Sequence, residues 1–153
     1  MTDFKTLGLA EPLLRAVSAE GYAAPTPIQA QAIPPMLAGR DLLGMAQTGT
    51  GKTASFVLPL LHRLLDDRRP AGPKSCRALI LAPTRELAAQ IADNVKGYGR
   101  FAKIRLAVVV GGVKPGGQIR AMAPGVDVLI ATPGRLLDHL AGGAIRLDRV
   151  ETL

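Results

Sequence analysis

The chain has 153 residues and a net charge of +7, with 48% of residues apolar and 3% aromatic. A chain of that size buries about two thirds of its unfolded surface as one domain, and its apolar content excludes intrinsic disorder. No apolar run reaches the roughly 18 residues of a membrane span. Met1-Thr2-Asp3-Phe4-Lys5 lacks a charged leader ahead of an apolar core, and the single Cys76 excludes an internal disulfide or a cysteine-built metal cluster. The expected compartment is the cytoplasm.

In chain order, Glu11 to about Glu20 reads as a helix with Pro12 in its first turn, Leu13, Leu14 and Val17 on one face and Gly21 at its stop. Thr26 is placed to cap a second helix with Pro27 at its first position, carrying Ile28, Ala32 and Ile33 until Pro34-Pro35 disturbs or ends it. The apolar run Leu42-Leu43-Gly44-Met45-Ala46 reads as a strand. It leads into Ala46-Gln47-Thr48-Gly49-Thr50-Gly51-Lys52-Thr53, and a helix follows from Lys52 to near Asp67, with Pro59 expected to kink it. Residues 68–73 form a surface connection. Ala78–Ala82 is a continuous apolar run, as expected of a strand buried on both faces of a parallel sheet, and Thr84–Lys96 reads as a helix. Leu106–Val110 is a second buried strand, followed by Gly111-Gly112 and a weaker helix from Pro115 to Met122. Val126–Ala131 is a third strand, and Pro133 to about Leu140 a short helix. Strands alternating with helices predict an α/β fold with a mostly parallel sheet, helices on both faces and ligands at the carboxyl ends of the strands.

The stretch from Ala46 to Thr53 carries the strongest chemistry. Glycines let successive backbone N–H groups turn inward around an anion, and a helix start adds unpaired N–H groups and a positive dipole end. Lys52 then reaches outer phosphates and the Thr53 hydroxyl holds Mg²⁺. The usual first glycine of the pattern is Ala46 here. Three further loops follow predicted strands: Pro83-Thr84-Arg85-Glu86, Gly111-Gly112 and Thr132-Pro133-Gly134-Arg135. Two of them combine Thr, Arg and a helix start, which suits phosphate contacts, and all four loops are expected on one edge of the sheet. Between Asn94 and Val126 there is no acidic residue, whereas Lys96, Arg100, Lys103, Arg105, Lys114 and Arg120 all lie there. That charge suits a polyanion partner or a solvated face equally. His62 and His139 have no metal partner at ligand spacing and read as surface or partly buried helix residues.

Taken in order, Thr26-Pro27-Ile28-Gln29, the loop ending in Gly51-Lys52-Thr53, Pro83-Thr84-Arg85-Glu86-Leu87-Ala88, Gly111-Gly112 and Thr132-Pro133-Gly134-Arg135 resemble the successive signatures of the DEAD-box ATP-dependent RNA helicases, bacterial members above all. The resemblance runs from Phe4 to the last residue. It implies that residues 1–153 are the amino-terminal RecA-like ATP-binding domain, with residues 1–30 as an adenine-recognition element. By the same resemblance Phe4, seventeen positions before Gly21, packs on the adenine ring, and the Gln29 amide reads adenine as donor and acceptor, with Thr26 beside it. Ala46, Gln47, Thr48, Gly49, Thr50, Gly51, Lys52 and Thr53 hold ATP, Lys52 and Thr53 serving catalysis and Thr53 the Mg²⁺. Pro83, Thr84, Arg85, Gly111, Gly112, Thr132, Pro133, Gly134 and Arg135 hold the RNA sugar-phosphate backbone without reading its sequence.

The acidic Asp-Glu-Ala-Asp motif of that family does not occur in the sequence, nor does a second RecA-like domain. The residues from Arg149 to Leu153 read as the start of the strand that would deliver the motif. The chain is therefore expected to be a fragment, incomplete at its carboxyl end and hydrolytically inactive alone. A naturally truncated, non-catalytic ATP- or RNA-binding module is the alternative. A P-loop NTPase acting on DNA or in transport fits Gln29 and the Thr-Pro-Gly-Arg loop less well.

Overall fold

A short 3₁₀ helix, Phe4–Leu7, opens the computed structural model, which describes residues 2–153; six α-helices and three strands follow. They are α1 Glu11–Ala19, α2 Pro27–Leu37, α3 Lys52–Asp66, β1 Cys76–Leu81, α4 Arg85–Tyr98, β2 Leu106–Val109, α5 Pro115–Met122, β3 Val126–Ala131 and α6 Pro133–Ala141. The chain divides into two units, one formed by residues 1–68 with 94–103, the other by residues 69–93 with 104–153.

The first unit is helical. α3 is its axis: Val57, Leu58 and Leu61 are fully buried, and α1 and α2 lie against it with Leu13, Val17, Ala32 and Ile33. One expectation fails here and another is narrowed. The Pro34-Pro35 pair does not end α2, which continues to Leu37. Pro34 is exposed, so the carbonyl its ring leaves unbonded lies near water and the helix continues at limited cost. The expected strand Leu42–Ala46 does not form; its backbone is irregular, with Leu43 87% and Met45 84% exposed. Apolar content alone does not make a strand, because a strand exists only through a hydrogen-bonded neighbour. Among the described residues nothing pairs with this segment.

The second unit is built on a parallel sheet of order β1-β3-β2. β3 is paired on both sides and buried along nearly its whole length. Leu79, Ala107, Val109, Leu129 and Ala131 share a core with Met122 of α5 and Leu136 of α6. The alternate residues Ala78, Ile80, Val128 and Ile130 are also buried, so both faces of the sheet are covered, as period-two alternation requires. β2, expected to be buried throughout, instead alternates between buried and half-buried positions. It has a neighbour on one side only, and an edge strand is less fully enclosed than a central one. Near residue 153 the chain forms one isolated parallel bridge rather than a strand: Thr152 bridges Ala78, with the Leu79 N–H donating to the Thr152 carbonyl at 2.9 Å. Cys76 lies inside β1, and burial pushes its thiol up to about 11. No helix among the described residues is long and apolar enough to cross a membrane.

That terminal segment is fastened by charge. Arg77, whose side chain is 5% exposed, holds Glu151 Oε2 through Nε at 3.1 Å and Nη2 at 3.0 Å, and Arg69 reaches the other carboxylate oxygen. Replacing Glu151 with Ala takes this carboxylate from a buried guanidinium. The expected loss is about 1–2 kcal/mol, below that of a fully buried pair because Glu151 is 32% exposed. A lowered urea midpoint with unchanged m, and a smaller loss for Glu151→Gln, is the outcome to look for.

Candidate functional site

In the first unit the loop from Ala46 to Gly51 turns into α3 with Gly49 at φ +80° and Gly51 at φ +82°. Gly51 is the residue that precedes the helix, and no side chain caps the α3 amides. No acidic residue lies in its first turn, so the positive end of the helix is not neutralised locally. Lys52 is exposed and Thr53 half-buried on that turn. The Thr50 hydroxyl donates to the Gln47 carbonyl at 2.6 Å and closes the loop on itself.

Gln29 is not a solvent-facing helix residue. It is 3% exposed, its Oε1 accepts from the Thr26 N–H at 3.0 Å, and its Nε2 donates to the Gly51 carbonyl at 3.2 Å. The first contact caps α2; the second ties that cap to the glycine that starts α3. A Cβ on Gly51 would collide with the Gln29 amide and press the Thr26 hydroxyl at 3.2 Å, so both the backbone angle and the space demand glycine. Thr26 Oγ1 is buried in the capping-box turn that Thr26 forms with Gln29 at the start of α2, beside the glycine loop. The uncapped amides that open α3 are the donors there that suit an anion. Phe4 is 4% exposed and sits in the core of this unit.

In the second unit the three strand-end loops do come together. Leu81 and Val109 both stand opposite Ala131 in the sheet register. Parallel strands ending on one rung deliver their loops to one edge, with neighbouring chains about 4.8 Å apart. Thr84 caps α4, its Oγ1 accepting from the Leu87 N–H at 3.1 Å. Thr132 precedes α6 with extended backbone, Pro133 fills the first position and no side chain caps the helix. Pro83, Thr84, Arg85, Gly112, Pro133 and Gly134 are exposed; Gly111, Thr132 and Arg135 are half-buried.

Both arginines turn to the glycine loop. Arg85 lies on Gly112, where any Cβ would collide with its guanidinium and where φ is +76°. Arg135 Nη1 donates to the Val113 carbonyl at 2.7 Å and to Gln118 Oε1 at 3.2 Å, and its Nε stands 3.8 Å from Asp138. Gln118, 7% exposed, also donates from Nε2 to the Val110 carbonyl at 2.8 Å and meets His139 Nε2 at 2.8 Å. His139 is 4% exposed rather than a surface residue. Sequence reading missed Gln118. Its one signal was spacing, four residues before the fully buried Met122 on the same helix, which turns it inward. The basic stretch is shared between the units: Arg100 pairs with Glu20 and Lys96 and Lys103 are exposed in the first, while Arg105, Lys114 and Arg120 are exposed in the second.

A family model described as DEAD/DEAH box helicase matches residues 26–153. The chain belongs to this family. The DEAD/DEAH box chain is 50% identical over 138 residues to the ATP-dependent rRNA helicase rrp3 of Aspergillus fumigatus, covering 90% of this chain and 28% of that one. It is 42% identical over 153 residues to the DEAD-box ATP-dependent RNA helicase CshA of Bacillus cereus, covering all of this chain and 28% of that one. The crystal structure of a DEAD box protein from the hyperthermophile Methanococcus jannaschii matches with a TM-score of 0.86 at 35% identity, over 98% of this chain and 40% of that one. The chain thus spans 28% of the length of these curated relatives.

Two measurements test this geometry. Gly112→Ala should cost roughly 1–2 kcal/mol for a left-handed non-glycine residue and should displace Arg85, seen as altered Arg85 side-chain NMR shifts. The second concerns His139, whose pKa is held below its ordinary 6.5 by burial and then by Arg135, with Asp138 opposing. The unfolded chain therefore takes up the proton first as pH falls. Stability from this site is complete above about 6.5 and declines from there toward the lower folded value. Melting temperature should drop between pH 7 and 5.5, and that drop should shrink in His139→Gln.

Proposed function

We propose that this chain supplies the ATP-binding and RNA-backbone-binding surfaces of an ATP-dependent RNA helicase. The observation that carries the reading is Gln29, buried and bonded to the last glycine of the phosphate loop. A phosphate loop alone suits any nucleotide; a glutamine fixed to it adds an amide with one further donor and one further acceptor position. That amide is chemically matched to the adenine edge, with Thr26 alongside, whereas Phe4, 4% exposed, packs in the core of this unit rather than presenting a face to the ring. Backbone N–H groups of residues 46–53 and Lys52 would hold the triphosphate, and the Thr53 hydroxyl would contribute to Mg²⁺. Mg²⁺ held there would supply positive charge beside the phosphates.

In the second unit, Pro83, Thr84, Arg85, Gly111, Gly112, Thr132, Pro133, Gly134 and Arg135 form one edge of hydroxyls, uncapped amides and guanidinium groups. That chemistry suits successive phosphates and carries no base preference. The sequence has no Asp-Glu-Ala-Asp, the acidic motif that the family resemblance assigns to hydrolysis. We therefore expect the 153-residue chain by itself to bind nucleotide and to hydrolyse it negligibly, with unwinding a property of a longer protein that adds a second such domain. The names of the fungal and bacterial relatives, both ATP-dependent helicases of RNA, support the same reading.

Titration with fluorescent ATP and GTP analogues tests it. The chain should prefer the adenine nucleotide, Gln29→Ala should erase the preference, and Lys52→Ala should weaken both by about tenfold, the worth of one charged hydrogen bond. Equal affinity of the unmodified chain for the two nucleotides would refute the adenine assignment.

A further inference from the structure

We propose that Gln118 and His139 are positioning residues that lock the Gly111-Gly112 loop and Arg135 into one fixed spacing. The proposal rests on the reading above that this loop and Arg135 contact RNA phosphates. Its support is the direction of each hydrogen bond. Gln118 Nε2 donates to the carbonyl of Val110, the residue at which the chain leaves β2 for the glycine loop, at 2.8 Å. With the amide nitrogen so placed, Oε1 is an acceptor only, and it faces Arg135 Nη1 at 3.2 Å and His139 Nε2 at 2.8 Å. His139 must therefore carry its hydrogen on Nε2. Arg135 Nη1 also donates to the Val113 carbonyl at 2.7 Å.

The loop is thus gripped at both ends, at Val110 by Gln118 Nε2 and at Val113 by Arg135, and the two grips meet on the one Gln118 amide, whose oxygen accepts from Arg135. His139 stands one helical turn beyond Arg135 on α6, so the same helix approaches that oxygen twice. Every bond the Gln118 side chain makes here ends on the loop, on Arg135 or on the residue that holds it. A buried amide that only filled the core would gain nothing over an apolar residue of the same shape. Here it removes rotational freedom from a long cationic side chain before any phosphate arrives, and such preorganisation raises affinity without adding a contact. A guanidinium has five N–H donors, so engagement of Nη1 leaves capacity for a phosphate oxygen.

The experiment uses the full 153-residue chain, with ¹⁵N relaxation of the Arg135 Nε–H group, ¹⁵N imidazole shifts of His139 and anisotropy of a fluorescein-labelled oligouridylate. In the unmodified chain Arg135 should be rigid and His139 protonated on Nε2. Gln118→Met, close in volume, should melt cooperatively yet free Arg135, blur the His139 tautomer and weaken RNA binding about fivefold, roughly 1 kcal/mol. Combined with Arg135→Ala its effect should be less than additive, because part of the glutamine's effect runs through that arginine and the rest through the loop. A folded Gln118→Met with Arg135 as rigid as before, or losses that add, overturns the proposal. Gln118→Glu keeps the acceptor and loses the donor, so it should leave Arg135 rigid while Gly111 and Gly112 amides exchange faster; loss of Arg135 order there also overturns it. Arg85→Ala and Arg135→Ala chains that bind RNA like the unmodified one would refute the RNA reading instead, and the relaxation data would still decide the relay.

Discussion

The parallel register of β3 with its two neighbours is the constraint on which the second unit depends. Because Leu81 and Val109 both stand opposite Ala131, three loops far apart in sequence begin on one line. Hydrogen bonds carry that register slightly past the strands, from the Ala82 N–H to the Ala131 carbonyl and from the Thr132 N–H to the Val109 carbonyl. The loop roots are therefore as rigid as the sheet, and the tips are left for glycines and arginines. A cationic surface needs this division. Long side chains lose much of their entropy when fixed, and the cost is lower where their anchor is already immobile.

The first unit reaches a comparable result by another route. Its loop is not rooted in a strand, since Leu42–Ala46 is irregular and exposed. The anchoring comes from α3, whose buried face fixes the helix, and from Gln29, which bonds the Gly51 carbonyl from α2. One side chain thereby caps its own helix and steadies the start of another. Substituting it would loosen the starts of both helices together.

Much of this was legible as pattern. While the short 3₁₀ helix Phe4–Leu7 went unread, periodicity placed β3 and α5 at their observed limits and the other α-helices and strands within a few residues, because burying one face of a helix or both faces of a strand leaves a direct trace in residue order. The misreadings have a common cause. Leu42–Ala46 has strand composition but no neighbour to pair with. β2 has a buried strand's composition but an edge position. Pro34-Pro35 breaks helices on average, yet here it lies where the freed carbonyls are near the surface. Each outcome depends on what stands beside the segment, and residue order does not state that. The same holds for Gln118, whose inward face was readable from its distance to Met122 but whose partners were not.

By itself the sequence determined the alternation of helix and strand, the glycine positions at 49, 51 and 112, and the chemical character of each loop, because these rest on backbone sterics and on the local period of apolar residues. Tertiary structure decided which strands are neighbours, that Arg85 and Arg135 converge on one glycine loop, and that Gln29, Gln118 and His139 are buried connectors. Those facts are contacts between residues separated by tens of positions. They exist only once the sheet register and the helix faces have brought the segments within hydrogen-bonding reach.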